Sequence, residues 1–274
     1  MAIRFPGDAY MKILLKLKFD GSAYCGFQAQ ANGRAIQNIL TDSFSRVLGF
    51  PCAVTGCSRT NSGVHAKAFC AALAPADIRV GDNWCPVPIS KFHRVVNRFL
   101  PEDISVIGAA VVADDFHPRY NVISKEYEYR IYDTPARDPF LNGRAYHTVR
   151  RISADDEILM NEICSAFVGK HDFSGFMATG SKITDPVRTV FNASVRREPD
   201  DILVFRVEAD GFLYNMVRIM TGTLLDVVYG SRSLGDVLSA IRTGDRTKAG
   251  FTAPSAGLYL SNVLYDREIN WLAE

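Results

Sequence analysis

MKILLKLKF, residues 11–19, sets Met11, Ile13, Leu15, Leu17 and Phe19 on one side and Lys12, Lys16 and Lys18 on the other. Successive side chains of a strand point to opposite faces, so this period-two pattern predicts a half-buried β-strand. The period then changes. AIQNILTDSFSRVL, 35–48, carries Ile36, Ile39, Leu40, Val47 and Leu48 at helical spacing. A strand is expected near 68–74, an amphipathic helix over 89–100 stopped by Pro101, and a strand over 104–112. One further strand of this half is hard to place.

After a polar stretch, ADDFHPRY (113–120), the theme returns. KEYEYRIY, 125–132, is a strand pattern with Tyr127, Tyr129 and Ile131 on one face. Ser153 and Asp156 form a capping-box-like start for a helix through Phe167. Strands are expected near 187–196 and 202–210. A long helix is expected over 212–228, with Leu213, Val217, Met220, Leu224 and Val228 inward. Ser233 starts a short helix ending near Gly244, and GLYLSNVLY (257–265) is a last strand. Strands mixed with helices without strict βα alternation predict an α+β fold. The two similar halves, 1–113 and 114–274, predict duplicated split βαβ (ferredoxin-like) units that pool antiparallel sheets around a central cleft.

The 274 residues and 47% hydrophobic content suffice for two compact units. No apolar run reaches 18 residues, so no membrane span is expected. The lysine-interleaved start does not read as a signal peptide, and a cytoplasmic protein is expected. Six cysteines are scattered with no CxxC pair and read as free thiols, not as a metal site. A net charge of +1 neither supports nor excludes nucleic acid, because binding needs a local patch. Arg34, Lys67, Arg94, Arg98 and Arg119 are candidates for a phosphate track.

The chemistry centres on CSRTNSGVHA, 57–66, where Arg59, Thr60, Asn61 and His65 surround the turn dipeptide Ser62-Gly63. This loop resembles the pattern G-R-T-D-x-G-V-H-A of the tRNA pseudouridine synthase A (TruA-type) family, with Ser58 at the first glycine. FDGSAYCGFQAQ (19–30), NRFLPEDISV (97–106), FHPRYNVISKEYEYRIY (116–132), GKHDFSGF (169–176), PVRTV (186–190), DGFLYNMVRIMTGTLL (210–225) and GLYLSNVLY (257–265) resemble further family segments, in family order. The resemblance implies two ferredoxin-like halves with an RNA-binding cleft, a homodimer, no cofactor and no metal. It also implies uridines of the tRNA anticodon stem-loop as substrate.

Pseudouridine formation breaks the N1–C1′ bond, turns the uracil and rejoins it through C5. In the family a carboxylate attacks C1′ or takes a proton from C2′. Asn61 stands at that carboxylate's position. An amide carries no charge and is a poor nucleophile and base, though it keeps the shape. Impaired or absent isomerisation is therefore expected. Three origins fit the amide: an installed Asp-to-Asn change, a natural relative that has given up catalysis, or residual chemistry, slow deamidation ahead of Ser62 included. A non-catalytic tRNA-binding or RNA-folding protein on the same scaffold is the alternative reading.

By the same resemblance, Tyr127 stacks on the target base and Arg218 pairs with the carboxylate. Arg59 contacts phosphate or helps flip the base. Thr60, Leu258, Gln28 and Arg119 complete the expected substrate contacts. Without the resemblance, Tyr127 and Leu258 read as core residues and Arg218 as a solvated helix arginine. Gln28 and Gln30 read as structural or RNA-contacting. His65 is expected to bond within its own loop and not to act as a base.

Overall fold

The structure is a computed structural model and describes residues 11–30, 33–77, 84–180 and 183–272. The chain divides into two compact units. The first takes in Met1–Ser62, Ala66–Val122 and Tyr265–Glu274, the second Gly63–His65 and Ile123–Leu264.

In the first unit the elements run β1 (Met11–Phe19), α1 (Ile36–Leu48), β2 (Cys52–Gly56), β3 (His65–Pro75), α2 (Ile89–Val96) and β4 (Ile104–Ala113). The sheet order is β4-β1-β3, with β2 on β3, and every pairing is antiparallel. That βαββαβ order, with β3 inserted between β1 and β2, is the split βαβ arrangement of a ferredoxin-like unit. The strand that is hard to place from sequence is β2, only five residues long.

The alternation of β1 holds for Ile13, Leu15, Leu17 and Phe19, all buried, while Lys18 is exposed. Leu14, on the lysine side, is fully buried too. The chain's end accounts for cover there. Trp271 takes the Lys16 ammonium over its ring at 5.4 Å, and Leu272 N–H donates to the Ala109 carbonyl at 2.9 Å. The inward stripe of α1 is Ile36, Leu40, Phe44 and Leu48, a clean i, i+4 row. Ile39 and Val47, expected inward, are only half-buried, because Phe44 takes the central place against Phe92 of α2. Helix α2 ends at Val96, short of the expected Leu100. There Asn97 turns its side chain onto β4, accepting from Val106 N–H and donating to the Val106 carbonyl.

The sequence division after residue 113 falls inside this first unit. Residues 114–121 fold back on it: Phe116 N–H donates to the Ala113 carbonyl, and Lys12 bonds the Asp114 and Phe116 carbonyls. The last residues return to the same place, with the Tyr265 hydroxyl on the Pro118 carbonyl and Asn121 on Asp266.

The second unit runs β5 (Val122–Tyr132), β6 (Tyr146–His147), α3 (Ala154–Phe167), β7 (Gly169–Asp172), β8 (Val187–Arg197), β9 (Leu203–Ala209), α4 (Met216–Val228), α5 (Leu234–Thr243) and β10 (Leu258–Tyr265). Its order is β10-β5-β9-β8-β7. Leaving out β6, β7 and α5, this repeats the connectivity of the first unit. The protein is therefore α+β, built largely on antiparallel strands. The expected capping box of Ser153 with Asp156 forms, and Ser233 starts its helix as expected, through a capping box completed by Asp236. Helix α4 begins at Met216, four residues later than the sequence suggests, because Asn215 adopts a left-handed conformation (φ 60°) that no helix interior accepts. Leu213, Val217, Met220, Leu224 and Val228, expected inward, are all buried, and α4 is buried on nearly every other side as well.

Candidate functional site

The loop after β2 is held by a second loop of the same unit. Asn61 forms an isolated antiparallel bridge with Gly26, and Phe27 N–H donates to the Thr60 carbonyl at 3.2 Å. Ser62 Oγ donates to the Tyr24 carbonyl at 3.2 Å. Gly26 has φ +110°, and a Cβ on it would stand 2.4 Å from the Thr60 oxygen. Only glycine fits both the conformation and the approach. Phe27 stacks on Phe69 of β3 at 4.2 Å, so the second loop is pinned to the sheet. Gln37, one residue into α1, accepts from Ala29 N–H and donates to the Val54 carbonyl, fastening the loop to β2.

Within this frame Arg59 is exposed, Asn61 is half-buried and Thr60 is buried. The Thr60 hydroxyl is enclosed and has no hydrogen-bond partner among the described residues. A buried hydroxyl without a partner costs about 1–3 kcal/mol, so it marks a place where a ligand or water has something to satisfy. Gln28 and Gln30 are both exposed, and Gln30 donates to the Cys25 carbonyl at 3.3 Å. Arg119 is half-buried, and its backbone N–H donates to His117 Nδ1 at 3.1 Å. His65, expected to bond within its own loop, also reaches beyond it. His65 Nε2–H donates to the Ala256 carbonyl at 3.1 Å, and its ring stacks on Tyr259 at 4.5 Å, all within the second unit.

In the second unit, Tyr127 lies in β5 opposite Val207 of β9 and is buried, its ring edge-on to Phe212 at 5.0 Å. Leu258 opens β10 and is buried. Arg218 is not a solvated helix arginine. Its Nε donates to the Ala253 carbonyl at 2.6 Å and its Nη1 to Asn215 Oδ1 at 2.9 Å. The described residues give it no carboxylate partner, and burial pulls the guanidinium below its ordinary value. The turn before β10 is fixed twice more. The Tyr129 hydroxyl donates to the Pro254 carbonyl at 2.7 Å, and Gly222 lets the Phe251 backbone approach so closely that a Cβ would overlap its oxygen. The close neighbour of Gly222 is thus protein backbone.

Sequence reasoning did not assign Gly26 or Gln37 a role. Gly26 lies inside FDGSAYCGFQAQ but acts on the distant Asn61 loop, and Gln37, beyond it, ties Ala29 to Val54, links that no local pattern displays. Among the described residues no cluster of three metal-ligating side chains occurs, and no helix is long and apolar enough to cross a membrane.

Two βαββαβ units, each built largely on antiparallel strands, define a fold class that comparison with known proteins makes specific. Residues 163–266 match the family model for tRNA pseudouridine synthase. The chain is 36% identical over 254 residues to the tRNA pseudouridine synthase A of Ruminiclostridium cellulolyticum, covering 93% of this chain and 99% of the relative. It is 37% identical to those of Clostridium botulinum and Caldicellulosiruptor saccharolyticus, each over 92% of this chain and 99% of the relative. The chain belongs to the tRNA pseudouridine synthase A family, whose members are isomerases.

Proposed function

We propose that this chain binds tRNA at the anticodon stem-loop and carries the machinery for turning uridine into pseudouridine, with the chemical step crippled at Asn61. The observation that carries this is an amide at the position of the family carboxylate, on a loop whose supporting contacts are intact. An uncharged oxygen neither attacks C1′ nor takes a proton from C2′ at a useful rate. Losing a group of that kind costs a barrier on the order of several kcal/mol. The isosteric amide leaves the backbone bridge to Gly26 and the bond between the Thr60 carbonyl and Phe27 undisturbed.

Tyr127 supplies an aromatic face for a splayed base, the usual device for reading an unstacked nucleotide. Arg218 is a half-buried cation with no carboxylate partner among the described residues, which suits a group that serves a carboxylate. Arg59 is exposed and contacts phosphate or helps to turn the base out. Thr60, Gln28, Leu258 and Arg119 are the remaining proposed substrate contacts. The family resemblance also supports a homodimer and a cytoplasmic location. Catalysis on this account uses no cofactor.

The test is to incubate unmodified tRNA transcripts with the chain and with its Asn61→Asp form, then map pseudouridine by carbodiimide adducts and primer extension. Stops confined to the anticodon arm, and to the Asn61→Asp reaction, support the proposal. Equal tRNA binding by both forms with product from neither supports the alternative, an RNA-binding or RNA-folding protein on this scaffold.

A further inference from the structure

Beside the loop that backs Asn61, a groove of about 580 Å³ runs between α1 and residues 98–101, entirely within the first unit. Arg34, Arg46 and Arg98 line it, with Asp42 as its single carboxylate. None of the three arginines makes an ion pair among the described residues, although Asp42 shares their wall. Two of them lie on aromatic rings. Arg34 stands over Tyr24 at 4.8 Å and Arg46 over Phe99 at 5.5 Å. A guanidinium held on a ring face is fixed in direction and keeps N–H groups at its edge for a ligand. The opposite wall is tied down as well, since Ser43 Oγ donates to the Phe99 carbonyl at 3.2 Å.

The groove is joined to the candidate site through backbone. Cys25 N–H donates to the Arg34 carbonyl at 3.1 Å, and the next residue, Gly26, is the one bridged to Asn61. Three cations facing one carboxylate in an open channel, two of them oriented by aromatic rings, suit a polyanion whose charges are spaced along a chain. A small acid would need only one of them.

We infer that this groove seats phosphodiester groups of the RNA strand that leads away from the nucleotide at Asn61, with Arg34, Arg46 and Arg98 as its phosphate ligands. The identity of the polyanion rests on the functional reading above. The placement of the groove rests on its own geometry.

The test uses the full chain and fluorescence anisotropy with an unmodified tRNA transcript across a range of KCl concentrations. The double variant Arg46→Gln/Arg98→Gln is expected to bind about tenfold or more weakly. Its slope of log K against log salt should be shallower by about 1 per arginine removed. The Arg46→Lys/Arg98→Lys chain, which keeps the charges, should keep the slope. Unchanged affinity and slope in the glutamine variant overturn the inference. So does calorimetry in which inorganic phosphate alone fills the groove while tRNA affinity ignores the arginines, since that describes a free-anion site. Product formation is read separately in the Asn61→Asp background. Product with arginine-independent affinity removes the groove and leaves the function standing. Neither binding nor product in any form removes both.

Discussion

A Cβ added to Gly26 would stand 2.4 Å from the carbonyl oxygen of Thr60. The same oxygen accepts from Phe27 N–H, so the contact cannot open without losing a hydrogen bond. Gly26→Ala therefore forces a left-handed alanine and a backbone clash together. The expected cost is about 2–4 kcal/mol, read as a lower urea midpoint with an unchanged m-value. In the Asn61→Asp background the same change should abolish product, because the bridge that sets residue 61 is lost. Wild-type stability in Gly26→Ala would show that the two loops are not locked together.

The enclosed Thr60 hydroxyl gives an effect of opposite sign. Thr60→Val removes a buried polar atom that has no partner among the described residues and keeps the branched shape. Stability should rise by about 1 kcal/mol. If the hydroxyl serves the substrate, kcat/KM of the Asn61→Asp chain should fall about tenfold in the same variant. A gain in stability without a loss in turnover would remove Thr60 from the substrate contacts.

Arg218 holds the turn that leads into β10, and no carboxylate among the described residues pairs with it. Arg218→Ala loses the bonds to the Ala253 carbonyl and Asn215 Oδ1 and should cost about 2 kcal/mol in chemical denaturation. Arg218→Lys should recover little, since one ammonium does not reproduce the two-directional fork. Faster exchange of the Ala253 amide, which donates to the Arg218 carbonyl, would locate the loosening at this turn. Full rescue by lysine would contradict the positioning role.

The turn over 117–121 should respond to acid. His117 Nδ1 accepts from Arg119 N–H and at 3.4 Å from Tyr120 N–H, so it is unprotonated in the fold. Burial first, then the charges of Arg119 and Lys12, lower its pKa from 6.5. The unfolded chain therefore takes up the proton more readily than the folded one. Stability is unaffected well above 6.5 and falls as pH drops through 6.5 towards the lower folded value. Proton NMR of the His117 ring should titrate below 6.5, with Arg119 amide exchange accelerating in the same window. A His117 titration above 6.5 would reverse the sign and refute the prediction.

Much of the framework is legible in the sequence. Ser153, three residues before Asp156, announces its helix by a capping box, and Ser233 announces the later one. The strand faces of β1 and β5 follow from alternation. What escaped reading was decided by contact with distant chain. Helix α4 starts late because of one left-handed asparagine, and α2 ends early because Asn97 bonds to β4. Leu14 is buried on the lysine side of β1, where the returning C-terminal segment packs. At the site, Arg59, Thr60 and Asn61 stand out because their order in one loop matches a pattern. Gly26, Gln37 and the Arg46 groove do not, because their meaning lies in what they touch.

The central claim is that one missing carboxylate silences an otherwise complete site. Tritium release from tRNA labelled at uracil C5 measures the isomerisation directly, with the chain and its Asn61→Asp form compared at equal tRNA affinity. The account predicts rapid release from the Asn61→Asp reaction and at least about a thousandfold slower release from the chain itself. Matching rates from mass-verified, undeamidated material would contradict it.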